Sequence, residues 1–514
     1  MKVVSGQVMQ LMDRRAMSEF GVPGLTLMEN AGRACADAIC EAFGPGAGKR
    51  ALIVAGKGNN GGDGFVISRL LAERGWEAPV LLLADPQTLT GDAAASLARL
   101  RPGVASAAPE GVAAHRELLN GACLVVDALL GTGVKSAVSG IYGEAIDLIN
   151  GSGLPVVAVD IPSGVDAGTG RVLGRAVRAH LTVSFALAKL GNVLKPGAEL
   201  GGRLIVADIG MPATVVAEAE GYEWFDLAAA RALFRPRAAG AHKGSNGHCL
   251  VVAGSTGKSG AAVMAANSAL RSGAGLVTLA VPAGLNEVLE VKTTEAMTVP
   301  VGRPDAGLLR AGDLPQLLQL AEGRTVVALG PGIGTAASSV YLVHSLLPEL
   351  SAPLVIDADG LNALALQPEL LLARQGRVTV LTPHPGEMAR LTGRTVPEVE
   401  ADRIACAREF AARYGVHVVL KGAGTVVAAP DGAIAVNGSG NPGMASGGMG
   451  DVLTGVVAAF IAQGYPPFDA CRLGVFLHGL SADILAGRGR GQGLNATDVQ
   501  ETLPEAITEV AGNN

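Results

Sequence analysis

The chain runs to 514 residues, more than one ordinary core holds at roughly 150 residues per domain, so two large α/β units are expected. A net charge of −6 with 3% aromatic residues excludes a nucleic-acid surface, which needs basic stripes and stacking rings, and leaves small molecules as the partners. Only 17% of residues are charged, yet no stretch approaches the roughly 20 uninterrupted apolar residues of a membrane helix, so the apolar excess belongs to buried strands and Ala-rich helices.

In chain order, the opening "MKVVSGQVMQLMDRRAMSEF" is broken by Gln7, Gln10, Asp13, Arg14 and Arg15 before a signal-peptide core forms, and export is not expected. Cys35, Cys40, Cys123, Cys249, Cys406 and Cys471 lie far apart with no C-x-x-C pair, and they read as small buried residues in a reducing cytoplasm. "LTLMENAGRACADAI" sets Leu27, Ala31, Ala34 and Ala38 on one face of a packing helix. The β-rich runs "ALIVAG", "PVLLLA", "CLVVDALLG", "PVVAVDIPSG", "LTVSFA" and "RLIVADIG" then alternate with helical patterns, as βαβ units in a doubly wound parallel sheet do. After a lapse, a second series begins with "HCLVVAG", "LVTLAVP", "TVVALGPGIG", "PLVIDADG" and "VTVLTPHPGE", placing a boundary near residues 212–235 and predicting a second, unrelated α/β fold. A hairpin is expected to turn at Asp431-Gly432. Lys57, Lys189, Lys243, Lys258 and Lys421 all sit beside glycine-rich turns, a setting that leans toward anion binding.

Residues 56–64, "GKGNNGGDG", fit neither G-x-x-x-x-G-K-[ST] nor G-x-G-x-x-G. A strand-to-helix loop of this composition still turns backbone N–H groups and a helix N-terminus toward a phosphate, with Asn59, Asn60 and Asp63 adding oxygens. Two further strands end in carboxylates, Asp127 in "LVVDALLGTGV" and Asp160 in "VVAVDIPSGVD". Parallel strands share one carboxyl edge, so Asn60, Asp127, Asp160 and Ser163 are expected to converge there, as hard oxygen donors suited to an alkali or alkaline-earth ion.

In this order "LMENAG", "GKGNNGGDG", "VVDALLGTG" and "VDIPSGVD" resemble the YjeF N-terminal family, the epimerases of hydrated NADH and NADPH, over residues 1–215. The resemblance implies a Rossmann-like three-layer α/β/α fold. It also implies that Asn59, Asn60, Gly61, Gly62, Asp63, the run Gly131, Thr132, Gly133, Val134, Lys135, Ser136 and Ala137, and Asp160 bind the hydrated nucleotide, while Asn60, Asp127 and Ser163 hold a potassium ion. Inverting the hydrated ring carbon requires a carboxylate to manage a proton, and Asp127 and Asp160 are both candidates.

In the second half, "VVAGSTGKSG" has Val252 where a phosphate loop has its first glycine. A better candidate is "GNPGMASGGMGDVLTG", where Gly448 and Gly450 precede Asp451 at the start of a helix; such N–H groups hold a transferring phosphoryl group, and the carboxylate takes the proton of the attacking hydroxyl. Asp357, Asp359 and Asn362 follow one strand, and His384 and Glu387 another; the acidic groups and the adjacent amide suit orienting magnesium on a nucleotide's phosphates, often through water. With "GPGIGT" and "VLKGAGT" these segments resemble the ribokinase-like NAD(P)H-hydrate dehydratases across residues 225–512.

That resemblance implies that Lys421, Gly422, Ala423, Gly424, Thr425 and Gly450 contact the phosphoryl donor, ADP or ATP in its place. Gly332, His384, Asp451 and Ala262 contact the hydrated substrate, with Asp451 as base. Sugar kinases of this superfamily show N-x-x-E where His384 to Glu387 stand here, which argues against sugar phosphorylation. The two resemblances together imply repair of NADHX and NADPHX: epimerisation of R and S forms, then ADP-dependent dehydration of the S form with release of AMP and phosphate. A cytoplasmic homo-oligomer without nucleic-acid or membrane partners is expected. The alternative is a vitamin-precursor kinase fused to a noncatalytic binding module.

Overall fold

The computed structural model describes residues 1–109 and 111–512. The chain divides into two compact units, Lys2–Tyr222 and Glu223–Asn514, the second also taking in Met1. Among the described residues no helix is long and apolar enough to cross a membrane.

The first unit holds a seven-stranded parallel sheet in the order Ala105–Ala107, Val80–Leu82, Ala51–Ala55, Leu124–Ala128, Val156–Val159, Leu181–Phe185, Arg203–Ala207. Its central strands are buried on both faces, which is why they read as unbroken apolar runs rather than alternating ones. Along Ala51–Ala55, Ile53 enters the core formed with the helices Gly6–Phe20, Gly24–Phe43 and Asn59–Glu73, whereas Leu52 and Val54 enter a second core with the helix Gly140–Asn150. The sheet is therefore the middle of three layers. Strand order reverses between Ala51–Ala55 and Leu124–Ala128, and a crevice opens at their carboxyl ends.

In the second unit, strands run in the order Met297–Val301, Leu276–Pro282, His248–Val252, Val326–Leu329, Leu354–Ile356, Thr379–Leu381, His417–Leu420, Val426–Ala428, Ile434–Asn437, Tyr222–Phe225. The first seven are parallel; Val426–Ala428 is antiparallel to both its neighbours, and the expected hairpin turns through Asp431 and Gly432. Cys249 and Val251 pack into a core with the helices Ser259–Arg271, Met449–Ala462, Pro467–Gly487 and Ala496–Ala511. All six cysteines are free.

Candidate active sites

At the crevice of the first unit lies a cleft of about 800 Å³. Asn59, Asn60 and Asp63, the whole run Gly131 to Ala137, and Asp160 line it. Gly61 and Gly62 stand behind that lining, inside the first turns of the helix Asn59–Glu73. A methyl group at Gly61 would overlap the Gly56 carbonyl oxygen, so this glycine is there for close packing of helix on strand.

Asp127 is fully buried and lies outside the lining. Its carboxylate accepts from the Ser163 amide at 2.8 Å and the Ser163 hydroxyl at 2.6 Å, and burial pushes its pKa up to about 6 although both bonds oppose the rise. Ser163 Oγ in turn accepts from the Leu130 amide at 2.9 Å, which ties together the loops that follow Leu124–Ala128 and Val156–Val159. Asn60 is buried beside Gly131, and its amide nitrogen has no partner.

Asp160, with φ of 67°, accepts from the Lys189 ammonium, from Ser184 Oγ at 3.2 Å and from the Phe185 amide at 3.3 Å. Lys189 is fully buried and also donates to the Phe185 carbonyl at 3.0 Å. Asp63 is buried in the same cleft; desolvation, with Asp160 and then Asp13 as like-charged neighbours, pushes its pKa well up.

The second unit gathers its polar groups at the corresponding strand edge. Lys421 Nζ donates to Asp357 Oδ1 at 2.7 Å and lies 3.7 Å from Glu387, while Thr454 Oγ1 donates to the other Asp357 oxygen at 2.8 Å. Asp359 accepts from Lys258 Nζ at 2.8 Å and from the Gly334 amide at 2.9 Å. A Cβ on Gly450 would sit 3.2 Å from Lys421 Nζ, so this backbone passes directly over the ammonium.

Asp451 occupies the first turn of the helix Met449–Ala462, where burial, then Asp357, raises its pKa to about 7 against the pull of Lys421. His384 caps the helix Pro385–Thr392, accepting from the Gly386 amide at 3.0 Å, while the Glu387 carboxylate returns to the His384 amide at 2.8 Å. Desolvation, Lys421 and Arg390 lower the His384 pKa, which keeps the ring neutral at pH 7. Gly332, with φ of 64°, lies in the loop after Val326–Leu329, and the buried Ala262 lies in the first turn of the helix Ser259–Arg271; the Gly332 carbonyl accepts from Ser255 at 2.7 Å. In the segment 420–424, the Arg403 guanidinium donates to the carbonyls of Ala423 at 2.7 Å, Leu420 at 2.9 Å, Lys421 at 3.1 Å and Gly424 at 3.3 Å.

Two family models match the chain: YjeF-related protein N-terminus over residues 24–191 and NAD(P)H-hydrate dehydratase over residues 249–505. The bifunctional NAD(P)H-hydrate repair enzyme Nnr of Moorella thermoacetica is 45% identical over 514 residues, covering 99% of this chain and 97% of that protein. The chain belongs to the bifunctional NAD(P)H-hydrate repair enzymes. A ribokinase-like superfamily protein of Enterococcus faecalis matches the fold at a TM-score of 0.50 and 26% identity, over 56% of this chain and 96% of its own. The ADP/ATP-dependent NAD(P)H-hydrate dehydratase of Bacillus subtilis, co-crystallised with ATP and magnesium, gives 0.47 at 30% identity, over 55% and 97%.

Within this repair enzyme, three of the five lysines beside glycine turns engage carboxylates rather than waiting for an anion: Lys189 holds Asp160, Lys258 holds Asp359 and Lys421 holds Asp357. Asn362 is engaged by Arg390 at 3.0 Å. Sequence reasoning passed over Thr454, whose only signal is its place one helical turn after Gly450, and His478, which is buried with Nε2 unpartnered and lowered by burial to a pKa of about 4. It also passed over Asp13 as a cleft residue.

Proposed function

We propose that residues 1–215 interconvert the R and S hydrates of NADH and NADPH, and that residues 225–512 dehydrate the S hydrate with ADP, or ATP in its place. Asp451 carries this reading. It is a carboxylate with a pKa of about 7 at a helix N-terminus, beside a lysine and a glycine backbone suited to phosphate. Asp451 takes the proton of the ring hydroxyl as its oxygen attacks the terminal phosphorus of ADP, and AMP leaves. Phosphate, a far better leaving group than hydroxide, then departs with its electron pair, and loss of a ring proton restores the reduced nicotinamide. Lys421 and the Gly450 amide face the charge that develops on the phosphoryl oxygens.

Potassium fits the first unit. Asp127, Ser163 and the buried carboxamide of Asn60 present hard oxygens at adjoining strand ends. Bound there, the ion supplies fixed positive charge at the strand edge. Magnesium fits the second unit as an ion carried on the nucleotide's phosphates, with Asp357, Asp359 and Glu387 acting through water. Free, mostly buried thiols agree with work in the cytoplasm, where the enzyme acts as a homo-oligomer.

The test is recovery of reduced-nicotinamide absorbance from mixed R and S hydrates with ADP, magnesium and potassium. Wild type recovers all of it, Asp451→Ala recovers none, and Asp127→Ala slows sharply once the S hydrate is consumed. Failure of wild type with both ADP and ATP refutes the reading.

A further inference from the structure

Four carboxylates, Asp13, Asp63, Asp92 and Asp160, line the cleft of the first unit, with Asp127 buried behind it, and they are not equivalent. Both oxygens of Asp127 are held by Ser163, outside the cleft lining. Asp160 is committed to Lys189, Ser184 and the Phe185 amide. Asp63 is buried, and desolvation, with Asp160 and Asp13 as like-charged neighbours, raises its pKa well above the usual carboxylate range.

Asp13 differs from all three. It lies on the helix Gly6–Phe20 with Met9, Gln10 and Met17, one face of which lines the cleft. The side chain is half-buried and, among the described residues, makes no hydrogen bond or ion pair. It faces the charges of Lys189, Asp160 and Asp63. Asp92, the other acid of the lining, sits in the first turn of the helix Gly91–Leu97, where the dipole favours its charge.

We propose that Asp13 is the acid–base residue of the epimerisation, giving a proton to the hydroxyl of the hydrated ring and taking it back. This rests on the epimerase reading above. Asp13 protonates the hydroxyl oxygen, the C–O bond breaks with its electron pair leaving as water, and the ring nitrogen lone pair forms the C=N⁺ bond. Water then adds to the opposite face of that carbon, the C=N⁺ electrons return to nitrogen, and the spare proton goes back to Asp13. No proton, water or electron is consumed. Burial, moderated by Lys189, raises the Asp13 pKa to about 6, so both protonation states are populated near neutral pH.

The full-length Asp13→Asn and Asp13→Glu variants test this, with R-to-S conversion followed at several pH values and dehydration of pure S hydrate serving as the fold control. Asp13→Asn is expected to lose ~100-fold or more in kcat for epimerisation with KM within about threefold, and to keep its dehydration rate. Asp13→Glu regains part of the epimerisation with a displaced pH profile. Epimerisation by Asp13→Asn within about threefold of wild type, or a loss confined to KM, overturns the proposal. If Asp13→Asn also loses dehydration, the Glu variant decides: an unmoved pH profile overturns the proposal and a displaced one supports it. A wild type that does not epimerise overturns both this and the reading beneath it, whereas an active wild type matched by Asp13→Asn overturns the role of Asp13 alone.

Discussion

Replacing Asp451 by asparagine should abolish dehydration and at the same time stabilise the second unit, because the residue is held where a carboxylate is unwelcome. Its pKa stands at about 7 against an ordinary 3.8. At about 1.36 kcal/mol per pH unit the rise corresponds to about 4 kcal/mol, which solvent at this partly open position reduces to about 2–4 kcal/mol. An acid whose pKa is higher folded than unfolded binds its extra proton in the folded state between about pH 4 and 7, so stability declines as pH rises through that window and the full cost applies above it. The asparagine variant escapes this cost. Its advantage over wild type is nil below about pH 4 and complete at about pH 8, where it is worth roughly 4–8 °C in Tm. Calorimetry at both pH values measures it, and the transition of the second unit is recognised by its shift on adding nucleotide. A variant no more stable than wild type at the higher pH, or equally stabilised at both, refutes the reasoning.

In the same enzyme, dehydration kcat/KM should fall as pH drops below about 7, since the base form of Asp451 is lost there; a rate profile flat from pH 6 to about 8 contradicts this. Lys189→Met leaves Asp160 buried without its counter-ion and should cost the first unit about 3–5 kcal/mol, read by chemical denaturation. Gly61→Ala forces a methyl group into the Gly56 carbonyl and should cost about 1–3 kcal/mol with loss of epimerisation, while dehydration in the same preparation is unchanged. Exchanging potassium for a bulky organic cation should slow epimerisation and spare dehydration, measured on separate hydrate epimers.

Much of the fold was legible because strands buried on both faces write themselves as apolar runs, and the residue ending each run falls on a known edge: Asp127, Asp357 and His384 were all placed from that rule alone. What escaped depends on contacts between segments far apart in the chain. Nothing around Asp13 separates it from any polar residue of an amphipathic helix, and only the packing of that helix against the cleft gives it a role. Lys189 shows the same limit from the other side. Its glycine-rich surroundings suggested an anion, whereas the anion is Asp160, 29 residues earlier. The glycines of residues 56–64 have two duties that composition cannot divide, since Gly58 lines the cleft and Gly61 admits the helix to the strand.

The clamp of Arg403 on the segment 420–424 has a consequence for the other side of that loop. In a trans peptide the N–H points opposite to the C=O. With the carbonyls of Lys421, Ala423 and Gly424 drawn onto one guanidinium, the amides of Gly422, Gly424 and Thr425 are turned outward. The loop is thus polarised before anything binds, its negative ends gathered on a cation behind it and its positive ends in front. A positive side chain behind the loop shapes the surface proposed to receive the nucleotide's phosphates.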